Sequence, residues 1–133
     1  MNVPKHPARI RAMIQARVRQ IVAKGPVLSA SLVVIAKHCG REGCHCRTGE
    51  KHVGNYITFP VHGKTKTVYV PLALVDEVRS WINEHKRLKQ LTREISELSV
   101  ALIRGHAQES RRQKGRRRLH PDPPRHLLIR LPL

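Results

Sequence analysis

All four aromatic side chains of this chain, Tyr56, Phe59, Tyr69 and Trp81, fall between residues 56 and 81. Rings carry the largest apolar areas a residue has to bury. Any sizeable core must therefore be centred on that stretch, and the flanks fold onto it or remain outside it. A length of 133 residues leaves room for one domain with tails.

The periodicity around the aromatics gives the architecture. Asn55 to Pro60 and Thr65 to Val70 are rich in β-branched and aromatic residues, and Val61-His62-Gly63-Lys64 between them suits a hairpin turn. With the β-branched run Leu32 to Ala36 they predict a three-stranded antiparallel sheet. Pro71 cannot extend a ladder, and from Leu72 to about Arg104 no Gly or Pro interrupts a helical period, which predicts a single helix of about 50 Å. Its first half offers Val75, Val78, Trp81 and Ile82 to cover the sheet. Its second half spaces Leu88, Leu91, Ile95, Leu98 and Leu102 alternately by three and four, a short heptad seam. The seam either meets a second copy or docks on the first helix of the same chain. A helix this long outreaches a small core, which favours a homodimer.

Residues 7–24 open with Pro7 and close on Gly25-Pro26, which predicts an N-terminal helix with Ile10, Ile14, Val18, Ile21 and Val22 on its packed side. At the other end Gly105 reads as a helix stop. The Arg- and Pro-rich remainder, with Pro121, Pro123, Pro124 and Pro132, reads as a disordered basic tail ending in an apolar stretch, Leu127 to Leu133. The expected fold is α+β: a basic N-terminal helix over 1–27, a zinc-stabilised sheet with its long helix over 28–103, and the tail over 104–133.

Charge is segregated along this frame. The chain has 26 Lys and Arg against 9 Asp and Glu, a formal net charge of +17. Residues 1–70 carry net +10, residues 71–103 are neutral and residues 104–133 carry +7. A merely solvated surface interleaves both signs, whereas this pattern implies a polyanionic partner, nucleic acid before an anionic membrane. Candidate phosphate contacts are Arg9, Arg11, Arg17 and Arg19 on the first helix, Lys37, Arg41, Arg47 and Lys51 around the cysteines, Lys64 and Lys66 at the hairpin, and Arg111, Arg112, Lys114, Arg116, Arg117 and Arg118 in the tail. No apolar run reaches the roughly 18 residues of a membrane span, and Met1 to Ile10 lacks the apolar centre of a secretory signal. The expectation is a cytoplasmic, nucleoid-associated protein without a membrane partner.

The three cysteines lie within eight residues, Cys39-Gly-Arg-Glu-Gly-Cys44-His-Cys46, and His52 follows. Three thiolates and an imidazole match the tetrahedral preference of zinc, and four protein ligands would make one structural Zn²⁺ with no open position for water. Gly40 and Gly43 supply the backbone freedom that wrapping a metal-bound sulfur demands. His38 and His45 are alternatives to His52, and free thiols or an iron–sulfur or redox role are alternatives to zinc. An odd cysteine count argues against a disulfide framework.

The order Ser31-Leu32, strand, Cys39-Gly40, Cys44-x-Cys46, Gly49-x-x-His52, a Tyr-bearing strand, Gly63-Lys64-x-x-x-Val68-Tyr69-Val70-Pro71 and long helix resembles a family of short, uncharacterised prokaryotic proteins. That family is built on a zinc-ribbon-like domain of unknown function and is loosely associated with mobile elements. The resemblance spans about residues 28–103 and implies a domain boundary and a metal pattern, but no activity. Ala30 stands where the pattern has glycine, and the long Arg- and Pro-rich extension after Arg104 is atypical of it, so the resemblance implies no role for it.

The expected function is a non-enzymatic nucleic-acid-binding protein, a dimeric zinc-containing DNA-binding regulator or accessory factor. RNA binding is the alternative, set lower because the few aromatics needed for base stacking are claimed by the core. An interaction or inhibitor module working through the long helix is a third reading. Five of the nine acids lie on that helix and the rest are scattered, so no carboxylate pair has the spacing of a metal-dependent nuclease. Cys46 with His52 is the one candidate nucleophilic pair, and clustered thiols more often share a metal.

Overall fold

The computed structural model describes residues 1–119. The elements follow in the order α1 (Pro7–Val18), β1 (Ser31–Lys37), β2 (His52–Val61), β3 (Lys64–Val70) and α2 (Val75–Leu119), with single 3-10 turns at His45–Arg47 and Leu72–Leu74. They divide between two compact units, one of residues 20–92 and one combining Met1–Arg19 with, among the described residues, 93–119. No helix of the described residues is long and apolar enough to cross a membrane.

In the larger unit β2 is the central strand of an antiparallel sheet ordered β1-β2-β3. Residues directly opposite each other point to the same face. The pairs Leu32–Ile57 and Asn55–Val70 therefore define one face, and Val33–Tyr56 and Tyr56–Tyr69 the other. The first face meets α2. Val70, Val78 and Ile82 form the buried cluster, with Leu28, Leu32, Ile57, Val75 and Trp81 packed around it. The β2–β3 turn is the two residues His62 and Gly63, with φ of 49° and 76°. Positive φ at both central positions is the type I′ geometry whose twist matches that of the flanking strands.

Both helices depart from the expected bounds. α1 stops at Val18 rather than near Lys24, because polar groups on α2 take the backbone of the following segment. Arg87 donates to the carbonyls of Gln20 at 2.8 Å and Val22 at 3.0 Å, and the Lys24 N–H donates to Glu84 at 3.2 Å. The Leu28 N–H reaches the Trp81 carbonyl at 3.2 Å. Ile21 and Val22 accordingly lie exposed instead of extending the packed side of α1.

α2 begins three residues late, after the Leu72–Leu74 turn, and passes through Gly105 and Gly115 to Leu119. A glycine inside a helix costs only about 1 kcal/mol relative to alanine, too little to stop a helix that meets no proline before Pro121. The basic run from Arg111 to Arg118 is therefore helical, contrary to the expected disordered tail. The expectations for Pro121, Pro123, Pro124, Pro132 and the apolar Leu127 to Leu133 fall outside the described residues.

The second unit places Ile10 of α1 and Leu98 of α2 in buried positions. Arg17 Nε donates to Glu94 Oε2 at 2.7 Å, and Arg17 also donates to the Met13 carbonyl.

Candidate metal centre

β1 ends where β2 begins, because Lys37 pairs with His52. Residues 38–51 consequently form a loop anchored on one rung, which holds His52 beside the chain leaving β1. Gly40 and Gly43 both take φ of 72°, the left-handed conformation that β-carbon sterics discourage in other residues. They fold the loop back, and the 3-10 turn His45–Arg47 carries Cys46 inward until none of it is exposed. The Gly49 N–H donates to the His45 carbonyl at 2.8 Å and closes the turn.

The ligand atoms of Cys39, Cys44, Cys46 and His52 come within 4.8 Å of one another. Cys39 Sγ lies 3.5 Å from Cys46 Sγ, and Cys44 Sγ lies 3.3 Å from His52 Nε2. A tetrahedral ion with Zn–S near 2.3 Å and Zn–N near 2.0–2.1 Å has S···S edges of about 3.8 Å and S···N edges of about 3.6 Å. Those two edges are within a few tenths of an ångström of that size, and the remaining separations stay within 4.8 Å, so the four ligand atoms are gathered closely enough to share a single metal ion. All three cysteines are free thiols. His45 stands outside the set, its Nδ1 4.0 Å from Cys44 Sγ and its ring edge-on to His52. His38 is not among the grouped ligands either.

The thiols are electrostatically unlike. A hydrogen bond from the Cys46 backbone, followed by those from His52 and the neighbouring thiols, lowers the Cys44 thiol to about 6. The Cys39 backbone acts in the same direction on Cys46, but burial and the two neighbouring thiols outweigh it and raise that group. A thiolate is the form that binds metal, so Cys44 is prepared for it at neutral pH.

The basic side chains fall into separate groups. Arg41, Arg47 and Lys51 on the loop are exposed, as are Lys64 and Lys66 beside the turn, at the other end of a ten-residue β2. At about 3.3 Å per residue these two groups stand about 30 Å apart. Arg9, Arg11 and Arg19 are exposed, and so are Arg111, Arg112, Lys114, Arg116, Arg117 and Arg118 on the last turns of α2. Arg17 differs, being half-buried and ion-paired with Glu94. Lys37 sits with its Nζ 4.5 Å from the centre of the Tyr56 ring.

Within the heptad seam Leu91 and Leu98 are buried in the single chain, at 8% and 0% exposure, and Leu88, Ile95 and Leu102 are half-buried. Packing within the chain thus accounts for Leu91 and Leu98 without a second copy.

Two features escaped the sequence reading. The Glu84–Arg87 clamp on residues 20–24 left no trace beyond an ordinary i, i+3 pair. The sequence points the tyrosines to the core, yet Tyr69 is 58% exposed and Tyr56 half-buried on the face away from α2. Counting outward from the His62-Gly63 turn pairs Tyr56 with Tyr69, so this one was available.

The family model of a domain of unknown function, DUF6788, matches residues 11–80, from within α1 to the start of α2. No curated protein and no solved structure matches the chain.

Proposed function

We propose that this chain, which belongs to the DUF6788 family, is a non-enzymatic DNA-binding protein, a regulator or accessory factor whose loop 38–51 is closed by one structural Zn²⁺ on Cys39, Cys44, Cys46 and His52. The observation that carries the reading is the charge of the sheet and its loop. None of the three strands contains an acidic residue, the loop sets Arg41, Arg47 and Lys51 against Glu42 and Glu50, and these three cations with Lys64 and Lys66 are exposed and make no ion pair among the described residues. A polyanion supplies what such a surface lacks, and each phosphate contact releases counterions. Zinc supplies no reaction here; it holds a loop that the thin core beneath does not reach.

The basic last turns of α2 would add phosphate contacts that carry no sequence information. A homodimer through the long helix would use Leu88, Ile95 and Leu102, the seam residues that retain exposed surface. Sedimentation of the wild-type chain against Leu102→Glu reads this directly.

The test is charge reversal of Arg41, Arg47 and Lys51 to Glu, with zinc content measured on the same sample. Loss of three phosphate contacts should weaken DNA binding and make the log–log salt dependence shallower by about 2 to 3. Unchanged affinity and slope with full zinc would show that the loop does not meet DNA.

A further inference from the structure

A three-stranded sheet covered by a helix on one face has its other face open, and open faces usually carry polar side chains. Here that face carries half of the chain's aromatic residues. Tyr56 and Tyr69 pair across β2 and β3 with ring centres 5.5 Å apart in an edge-to-face arrangement. Both rings lean over Gly54, where an added β-carbon would lie 3.0 Å from Tyr56 Cε2 and 3.3 Å from Tyr69 Cε2. Glycine at this strand position gives up side-chain packing and admits the two rings. The Lys37 ammonium covers one side of the Tyr56 ring, while Tyr69 remains more than half exposed. Thr58 and Thr67, paired with each other, share the face.

We propose that this face is a stacking platform on which Tyr69, with Tyr56 behind it and Lys37 beside it, takes the bases of single-stranded DNA. The argument rests on the DNA-binding reading above and specifies the form of the DNA. A strand-paired tyrosine is rigid and loses little entropy on contact, and every base has a π-face for it to meet. Charge complementarity selects the occupant. The sheet has no carboxylate and carries Lys37, Lys64 and Lys66, the adjoining loop brings Arg41, Arg47 and Lys51 against Glu42 and Glu50, and a polyanion whose bases are unpaired satisfies both the rings and the net positive charge. Duplex DNA engages the cations but keeps its bases stacked on one another.

The test is anisotropy of the full chain with labelled oligothymidylate, a duplex of equal length and oligouridylate. It uses the wild type, Tyr69→Ala and Tyr69→Phe, each checked for zinc content and melting. Wild-type chain should hold oligothymidylate in preference to duplex. Tyr69→Ala should weaken that binding about tenfold and leave duplex binding within a factor of two, and Tyr69→Phe should retain it, because the ring and not the hydroxyl stacks. Tyr69→Trp gives a second readout, indole quenching on titration with oligothymidylate. Equal affinity of wild type and Tyr69→Ala for oligothymidylate, or equal losses for single strand and duplex, would overturn the platform while leaving the DNA-binding reading intact. Tighter binding of oligouridylate than of oligothymidylate would overturn the assignment to DNA. Failure of the wild type to bind any of the three would overturn both readings.

Discussion

Cys44 Sγ lies 3.3 Å from His52 Nε2 although the two are eight positions apart in the chain, because the Lys37–His52 rung of the sheet returns the loop to its starting point. The sheet therefore positions His52, and the 3-10 turn positions Cys46 with Cys44 at its N-cap. Cys44→Ser should abolish stoichiometric zinc and lower the melting temperature steeply, with loss of amide protection over residues 37–70. Structural zinc sites contribute folding free energy outright, and a chelator should reproduce the effect on the wild type. A normal melt with one zinc still bound to the variant would contradict the assigned ligand set.

Glu84 and Arg87 join α2 to residues 20–24, and their energetics carry a pH signature. The Arg87 guanidinium donates to Glu84 at 2.6 and 3.1 Å and, with the Lys24 N–H, holds its carboxyl down at about 2 against an ordinary 4.5. A carboxylate whose folded value is depressed contributes stability that is complete above its unfolded value and is lost as pH falls through the folded one. The window is pH 4.5 to about 2. Urea midpoints across it should fall more steeply for wild type than for Glu84→Gln, with the two slopes converging above pH 4.5. Parallel slopes throughout would remove the clamp from the account.

Leu98 is fully buried, and Ile103, five residues along the same helix, is 70% exposed. Leu98→Ala should cost about 2–5 kcal/mol by chemical denaturation, and Ile103→Ala less than about 0.5 kcal/mol. Similar small costs at both positions would contradict the burial of Leu98 within its own chain.

His62 holds φ of 49° beside Gly63 at 76°, and only the glycine is at ease there. His62→Asn should raise stability by up to about 1 kcal/mol, since asparagine tolerates the left-handed region and Asn-Gly is the preferred type I′ pair. Gly63→Ala should lower it by about 1–2 kcal/mol. Thermal melts of the two variants moving in the same direction would contradict the turn assignment.

What the sequence disclosed follows from how local each signal is. The strands around Tyr56 and Tyr69, the turn at Gly63 and the Cys39, Cys44, Cys46 and His52 set rest on residues near one another in the chain, and each is present with small shifts of boundary. The end of α1 was illegible because it is decided by Arg87, more than sixty residues away, which claims the carbonyls of Gln20 and Val22. The continuation of α2 past Gly105 is hidden in the sequence because glycine looks like a stop, although its cost is only that of a weak helix former. Scarcity of aromatics alone points the tyrosines into the core. Pairing them across the turn, with Val70 on the opposite face, puts them outside it.

The most direct measurement of the central claim is competition among duplex DNA, single-stranded DNA and structured RNA for the wild-type, zinc-loaded chain across a salt series. The account predicts binding whose logarithm falls linearly with the logarithm of salt and a preference for DNA, led by the single strand, that persists near physiological ionic strength. No binding to any of the three at the lowest salt, where attraction to a chain of net charge +17 is greatest, would contradict it.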